Sequence, residues 1–224
     1  TNTAVQIQIF EALGYDIPTF GHNALIQMGD GKLSKRKGGG DIMTLEKDGY
    51  EAMTVNSLLA RLGSADPIEP FTSMQKLIEQ FDITKFTRAA ATYDEAELVR
   101  INQLILGNES FENVKNRLHD LGLLSVDEEF WEATKHNLVK LADIKEWWHI
   151  LKEPLTPLIL DEDKDFCQQA AAIVDEVGSF KELTEKLKEQ TDRKGKVLFM
   201  PLRRALTAKE SGPEMGTVFS LLPK

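Results

Sequence analysis

Residues Lys32-Leu33-Ser34-Lys35-Arg36-Lys37-Gly38-Gly39-Gly40 put four cations and three glycines into nine positions of a chain whose net charge is −9. Glycine lets the backbone turn its N–H groups toward an anion, while lysine and arginine supply charge that can follow phosphoryl oxygens as a reaction moves them. Phosphate binding is the chemistry that this combination serves. The preceding Gly29-Asp30-Gly31 reads as a tight turn, which places the basic segment at a mobile loop tip. The plainer reading of the same residues is a solvated basic turn.

A second concentration of charge lies near the other end. From Arg193 to Lys209 the chain carries six cations (Arg193, Lys194, Lys196, Arg203, Arg204 and Lys209) and no carboxylate. Residues 1–40 sum to +1, residues 41–192 to −15 and residues 193–224 to +5. Phosphate neutralisation dominates affinity for nucleic acid, so the overall acidity argues against such a partner and the distribution argues for one. An RNA would touch two basic sites and be repelled by the body between them, which favours specificity over raw affinity. Arg204 and Lys196 read as the surface cations, and Arg203, flanked by apolar residues, reads equally well as a buried structural arginine. Phe199, Met200 and Leu202 have core-like spacing and read as packing.

Other candidates for chemistry reduce to structure. The histidines, His22, His119, His136 and His149, are scattered, and with the single cysteine, Cys167, they give no metal-ligand spacing, so no metal site is expected. Cys167 reads as a buried, inert thiol. Adjacent tryptophans on a helix point about 100° apart, so Trp131 and one of Trp147 and Trp148 are expected in the core. Glu128-Glu129 and Asp161-Glu162-Asp163 read as acidic helix starts that complement the helix dipole. No run of eighteen apolar residues occurs and the N-terminus has no signal pattern, so a cytoplasmic protein without a membrane segment is expected.

The elements that must hold these sites are mostly helices. Val5–Leu13 reads as a helix closed by Gly14, 19–27 as a strand entering the basic loop, and 42–45 as a second short strand. Residues 53–62 and 73–81 have helical spacing, and 86–94 reads as an irregular connector. From Glu95 onward helical periodicity is continuous: 95–106, 110–121, 127–137, 144–151, 161–176, 179–190, 196–206 and 213–222, with caps such as Ser110, Gly122 and Ser179 at the breaks. Short links between amphipathic helices predict an all-α bundle or cage. The fold class is therefore mainly α: a small α/β region over 1–107, divided near Gly107-Asn108 from an all-α bundle over 108–224.

Lys32-Leu33-Ser34-Lys35-Arg36 resembles the signature loop of class I aminoacyl-tRNA synthetases, written KMSKS and commonly KLSKR in the glutamyl branch. Pro18-Thr19-Phe20-Gly21-His22 before it and Asp48-Gly49-Tyr50 after it resemble the glutamyl context, as does the C-terminal run Arg193-Lys194-Gly195-Lys196-Val197-Leu198-Phe199-Met200-Pro201-Leu202-Arg203-Arg204 continued by Gly212-Pro213-Glu214. Leu58-Leu59-Ala60-Arg61-Leu62-Gly63 and Ile78-Glu79-Gln80-Phe81-Asp82 extend the likeness along the whole chain. The resemblance to bacterial glutamyl-tRNA synthetases implies a stem-contact fold after the loop and an anticodon-binding helical domain over 108–224. It implies ATP and Mg²⁺ as requirements of the complete enzyme, and L-glutamate and tRNA(Glu), with tRNA(Gln) as a further acceptor, as partners of a monomer. It assigns the ATP loop to Lys32, Leu33, Ser34, Lys35 and Arg36, with Lys35 and Lys32 catalytic, and tRNA binding to Arg193, Lys194, Lys196, Arg203 and Arg204.

The family's His-x-Gly-His tetrapeptide is absent from the sequence. Thr1-Asn2-Thr3-Ala4 resembles the middle of the catalytic domain, so a truncated protein is expected, inactive in aminoacylation by itself. Four alternatives stand beside this reading. One is a relaxed or tRNA(Gln)-selective glutamyl enzyme; the second is a glutaminyl enzyme, which would carry C-terminal β-barrels. The third is a class I lysyl enzyme, which shares a helical cage but does not explain the resemblance at both ends, and the fourth is a non-enzymatic helical interaction module.

Overall fold

The computed structural model describes residues 2–28, 31–32 and 41–222. Helix α1 (Asn2–Leu13) ends at Gly14, whose φ of +74° is a left-handed conformation that glycine adopts without strain. Strand β1 (Ile26–Met28) pairs antiparallel with β2 (Gly31–Lys32) and parallel with β3 (Ala91–Tyr93), giving a sheet of order β2-β1-β3. Helices α2 (Ile42–Lys47), α3 (Ala52–Leu59) and α4 (Met74–Glu79) lie in the crossover between β1 and β3.

Three sequence expectations are corrected here. Residues 42–45 form the start of α2 and not a strand, because extended Asp41 accepts a hydrogen bond from the Met43 N–H and caps a helix. Residues 86–94 are not wholly irregular: three of them form β3. Strand structure in 19–27 is confined to its last two residues, Ile26 and Gln27, with Met28 completing the strand.

The remainder is helical: α5 (Glu95–Asn108), α6 (Phe111–Asp120), α7 (Glu128–Thr134), α8 (Ile144–Lys152), α9 (Lys164–Ile173), α10 (Phe180–Gln190), α11 (Lys196–Thr207) and α12 (Met215–Leu221). Asp94, Asp127 and Ser179 cap α5, α7 and α10 with side-chain oxygens. Among the described residues no strand follows Tyr93. One apolar core runs from Leu106 to Leu221, built on Phe130, Trp131, Ile144, Leu151, Leu183, Leu198 and Val218. Trp131 and Trp147 are buried in it, whereas Trp148 is half-buried with its ring 5.1 Å from that of Phe130. Cys167 is buried, and its thiol pKa is pushed up first by burial and then by Asp163.

Helix α5 joins this core to the sheet region. Its Asn102, fully buried, accepts hydrogen bonds from the Glu51 N–H (2.8 Å) and the Thr54 hydroxyl (2.7 Å) and donates to the Val139 carbonyl (2.6 Å). Arg117 of α6 reaches Glu51 at 2.5 Å across the same joint. No helix among the described residues is long and apolar enough to cross a membrane.

Candidate phosphate and nucleic-acid sites

The segment expected to bind phosphate follows β2, the edge strand of the sheet. Lys32 ends β2 with its backbone opposite Gln27, and β1 is held from the other side by β3. The chain is described again at Asp41, the cap of α2. The expected loop residues Leu33, Ser34, Lys35 and Arg36, with Lys37 to Gly40, lie outside the described residues, as does the Lys32 side chain. His22, four residues before β1, approaches the Thr3 hydroxyl of α1 at 3.3 Å. Among the described residues no three His, Cys, Asp or Glu side chains converge as metal ligands.

The C-terminal cations are brought together on and beside α11, and their neighbours divide them into two kinds. Arg193 is turned inward: Nη1 donates to Asp163 Oδ1 at 2.5 Å and to the Val197 carbonyl at 3.3 Å, and Nη2 to the Glu162 carbonyl at 3.1 Å. Its guanidinium lies 4.5 Å from the centre of the Phe166 ring. Arg204 donates from Nε and Nη2 to Glu210 Oε1 at 3.0 and 2.5 Å, while its Nη1 is 4.0 Å from Asp163. With a side chain only 19% exposed, Arg204 is not the open surface cation that the sequence suggested. Arg203 is half-buried; Nη2 donates to the Pro213 carbonyl at 3.0 Å and buried Nη1 has no acceptor among the described residues. Lys194 and Lys196 are exposed and make no ion pair among the described residues.

Two features hold this arrangement in place. Asp163, 6% exposed, sits between Arg193 and Arg204, so the acidic start of α9 anchors the basic segment. Gly212, at φ +146°, lets the 211–213 turn rest on the Trp147 ring, where any Cβ would overlap the indole. That turn carries the Pro213 carbonyl that Arg203 binds. Sequence reasoning missed Asp163 because its partner is thirty residues away, and an acidic helix start carries no mark of such a pairing.

Between the 162–163 turn and α11 lies an open cleft of about 470 Å³. Val197, Met200 and Pro201 form its apolar wall, and Glu162, Lys196 and Arg204 its polar rim. Met200, expected as packing, therefore faces the cleft, while Leu202 is buried as expected and Phe199, 38% exposed, lies between Phe180 and Lys188.

Comparison with known proteins identifies relatives of this chain. The family described as tRNA synthetases class I (E and Q), catalytic domain, matches residues 1–100. Glutamate–tRNA ligase 1 of Rickettsia felis is 42% identical over 229 residues, covering 100% of this chain and 51% of that protein. Glutamate–tRNA ligase 2 of Orientia tsutsugamushi is 41% identical over 227 residues, covering 99% of this chain and 51% of that protein. A crystal structure of a glutamate tRNA ligase from Elizabethkingia meningosepticum superposes with a TM-score of 0.72 at 22% identity, covering 97% of this chain and 51% of that one, which shows the shared fold. The chain spans about half the length of the curated relatives it matches. Over its whole length the chain is similar to the C-terminal half of bacterial glutamate–tRNA ligases, and its residues 1–100 match the class I (E and Q) catalytic-domain family.

Proposed function

We propose that this chain is the half of a glutamate–tRNA ligase that supplies the KLSKR loop to ATP and grips tRNA(Glu). Residues 1–107 form the end of the catalytic domain with the stem-contact region, and 108–224 the anticodon-binding bundle. The observation that carries this reading is the 42% identity to a glutamate–tRNA ligase extending across the entire chain. An interaction module with an incidental basic loop would have no reason to preserve it. A glutaminyl enzyme with C-terminal barrels has no support, since no strand follows Tyr93 among the described residues.

In the complete enzyme a carboxylate oxygen of L-glutamate attacks the α-phosphorus of ATP, the bond to the β-phosphate oxygen breaks, and pyrophosphate leaves. Such a step asks the protein for positioning and for charge that stabilises the departing oxygens. Lys35 and Lys32 hold the departing phosphates, Ser34 donates a hydrogen bond or fixes the loop geometry, Arg36 adds charge, and Leu33 completes the segment. Mg²⁺ supplies further neutralisation of the phosphates when bound. Exposed Lys194 and Lys196 contact RNA phosphates, and Arg193, Arg203 and Arg204 shape the surface on which the anticodon lies. The test is titration of the chain with tRNA(Glu) and with the same transcript carrying a changed anticodon, at one salt concentration. Tighter binding of tRNA(Glu) is expected; equal affinities would refute anticodon recognition by this half.

A further inference from the structure

We infer that Arg117 and Lys140 are positioning residues for the phosphate step: with Asn102 they clamp the link between α2 and α3, and thereby fix α2, the helix that follows residues 32–40 in the chain. The inference rests on the ATP role proposed for Lys32 to Arg36. Helix α2 has little else to hold it. None of its residues is buried, and Ile42 and Met43 at its start are 62% and 57% exposed. A helix of six residues is too short to persist on its own backbone bonds, so its place is set at the end where the chain is tied down.

That end is the link over 48–51. The Gly49 N–H donates to the Glu46 carbonyl at 2.9 Å and the Tyr50 N–H to the Leu45 carbonyl at 3.0 Å, which closes α2, and Gly49 takes the left-handed φ of +84° that such a turn needs. Two groups of the helical half and one of α5 meet this link. The methylenes of Lys140 lie against Gly49, and its ammonium stands 4.9 Å from the centre of the Tyr50 ring. Asn102 accepts from the Glu51 N–H, and Arg117 pairs with the Glu51 carboxylate at 2.5 Å. Glu51 is the cap residue of α3, yet its carboxylate makes no capping bond and is turned to Arg117 instead.

The clamp is itself braced. Asn102 donates to the Val139 carbonyl at 2.6 Å, next to Lys140, and the N–H groups of Val139 and Lys140 both donate to Asp143 Oδ2, at 3.0 and 2.8 Å. The link is therefore gripped at once from α5, α6 and the 139–140 turn. Residues 33–40 are flanked by a strand of the sheet on one side and, on the other, by a helix anchored to the helical half. Movement of that anchor carries α2 with it, and a misplacement of about 1 Å in a group that meets the transition state costs as much as 10²-fold in rate. Arg117 and Lys140 act through Glu51 and Tyr50, without touching substrate.

The test has two arms. In the chain itself, amide hydrogen exchange is followed at residues 44–50, with α10 as the internal reference. Arg117→Ala and Lys140→Ala are each expected to speed exchange at 44–50 by up to roughly fivefold, the scale of one partly exposed pair, and to leave α10 unchanged. The swap of Glu51→Arg with Arg117→Glu should restore protection. Unchanged exchange at 44–50 in both variants, or equal acceleration in α10, overturns the clamp. In the complete ligase the same variants are assayed beside Lys35→Ala for glutamate-dependent pyrophosphate exchange with tRNA(Glu) present. Arg117→Ala combined with Lys140→Ala is expected to lower kcat on the order of tenfold, with tRNA(Glu) affinity within about twofold of the parent. A loss in Arg117→Ala that the swap leaves in place counts against the inference. If Lys35→Ala lowers the rate and the double variant does not, α2 is placed by the catalytic half and the inference alone falls. If Lys35→Ala has no effect, the ATP role of the loop falls and takes the inference with it.

Discussion

Asp163 determines which cations of the basic segment remain free to meet a ligand. Its side chain is 8% exposed and is compensated mainly by Arg193 at 2.5 Å, with Arg204 farther off at 4.0 Å. Removing one partner of such a pair leaves a buried charge without compensation, so Arg193→Ala is expected to lower unfolding free energy by about 3 kcal/mol in urea titrations. Asp163→Asn in the same background should recover part of the loss; a destabilisation below about 0.5 kcal/mol would mean that the pair is solvated. Glu214, beside the turn that Arg203 binds, gives a pH signature. Its carboxyl is held below the usual carboxylate range by the N–H groups of Gly216 and Thr217, then by the Thr217 hydroxyl and Arg203. A folded-state pKa below the unfolded one contributes stability above the unfolded value, about 4.3, and loses it as pH falls through the folded value. The melting temperatures of the parent chain and Glu214→Gln should therefore differ near pH 6 and draw together only as the pH falls below about 4.3 and through the depressed folded-state value. A difference that is constant with pH would assign the effect to something other than this carboxylate.

At the scale of elements, most of the helical half was legible because its signals are local. Ser110 and Ser179 announce helix starts, Gly14 and Gly122 announce ends, and the apolar spacing between them fixes the buried faces. The sheet was not legible on those terms. Strand β3 is three residues long and pairs in parallel with a segment more than sixty residues earlier, so alternation has no room to show itself. Residues 42–45 read as a strand because so short an apolar run shows no period, and the Asp41 cap makes them helix. The joint at α5 was equally invisible, because nothing in the sequence shows that Asn102 meets Glu51, Thr54 and Val139. Three polar groups around a fully buried amide make Asn102→Ala costly. The loss is expected to be about 2–4 kcal/mol, from unsatisfied partners and the cavity left behind. Thermal unfolding checks this, and a shift within the ordinary surface range would show that water replaces the amide.

The molecule as a whole separates two basic regions by a body of net charge −15 over residues 41–192. The two tasks proposed for them separate in the same way, ATP binding to the segment that follows β2 and RNA binding to the cations beside α11. Val5, Ile9 and Leu13 of α1 are 57%, 52% and 64% exposed, and no residue of that helix is buried. The sequence lacks the His-x-Gly-His tetrapeptide that grips ATP in the resembled family. The chain as it stands is therefore expected to give no glutamate-dependent pyrophosphate exchange above background, and measurable exchange would show that the loop half activates glutamate unaided. RNA binding should persist without that activity and carry its own electrostatic mark. Lys194 and Lys196 are the exposed, unpaired cations of the segment among the described residues, whereas Arg193 and Arg204 are already neutralised by Asp163 and Glu210. Each phosphate contact contributes about 0.7–0.9 to the slope of log K against log salt. The pair Lys194→Ala and Lys196→Ala should therefore reduce that slope by about 1.4–1.8 for tRNA(Glu). Neutralising Arg204 alone should change it by less than half a unit, because its charge is balanced before RNA arrives. A larger effect from Arg204 than from the two lysines would mean that RNA displaces Glu210, and that the arginine is the phosphate ligand after all.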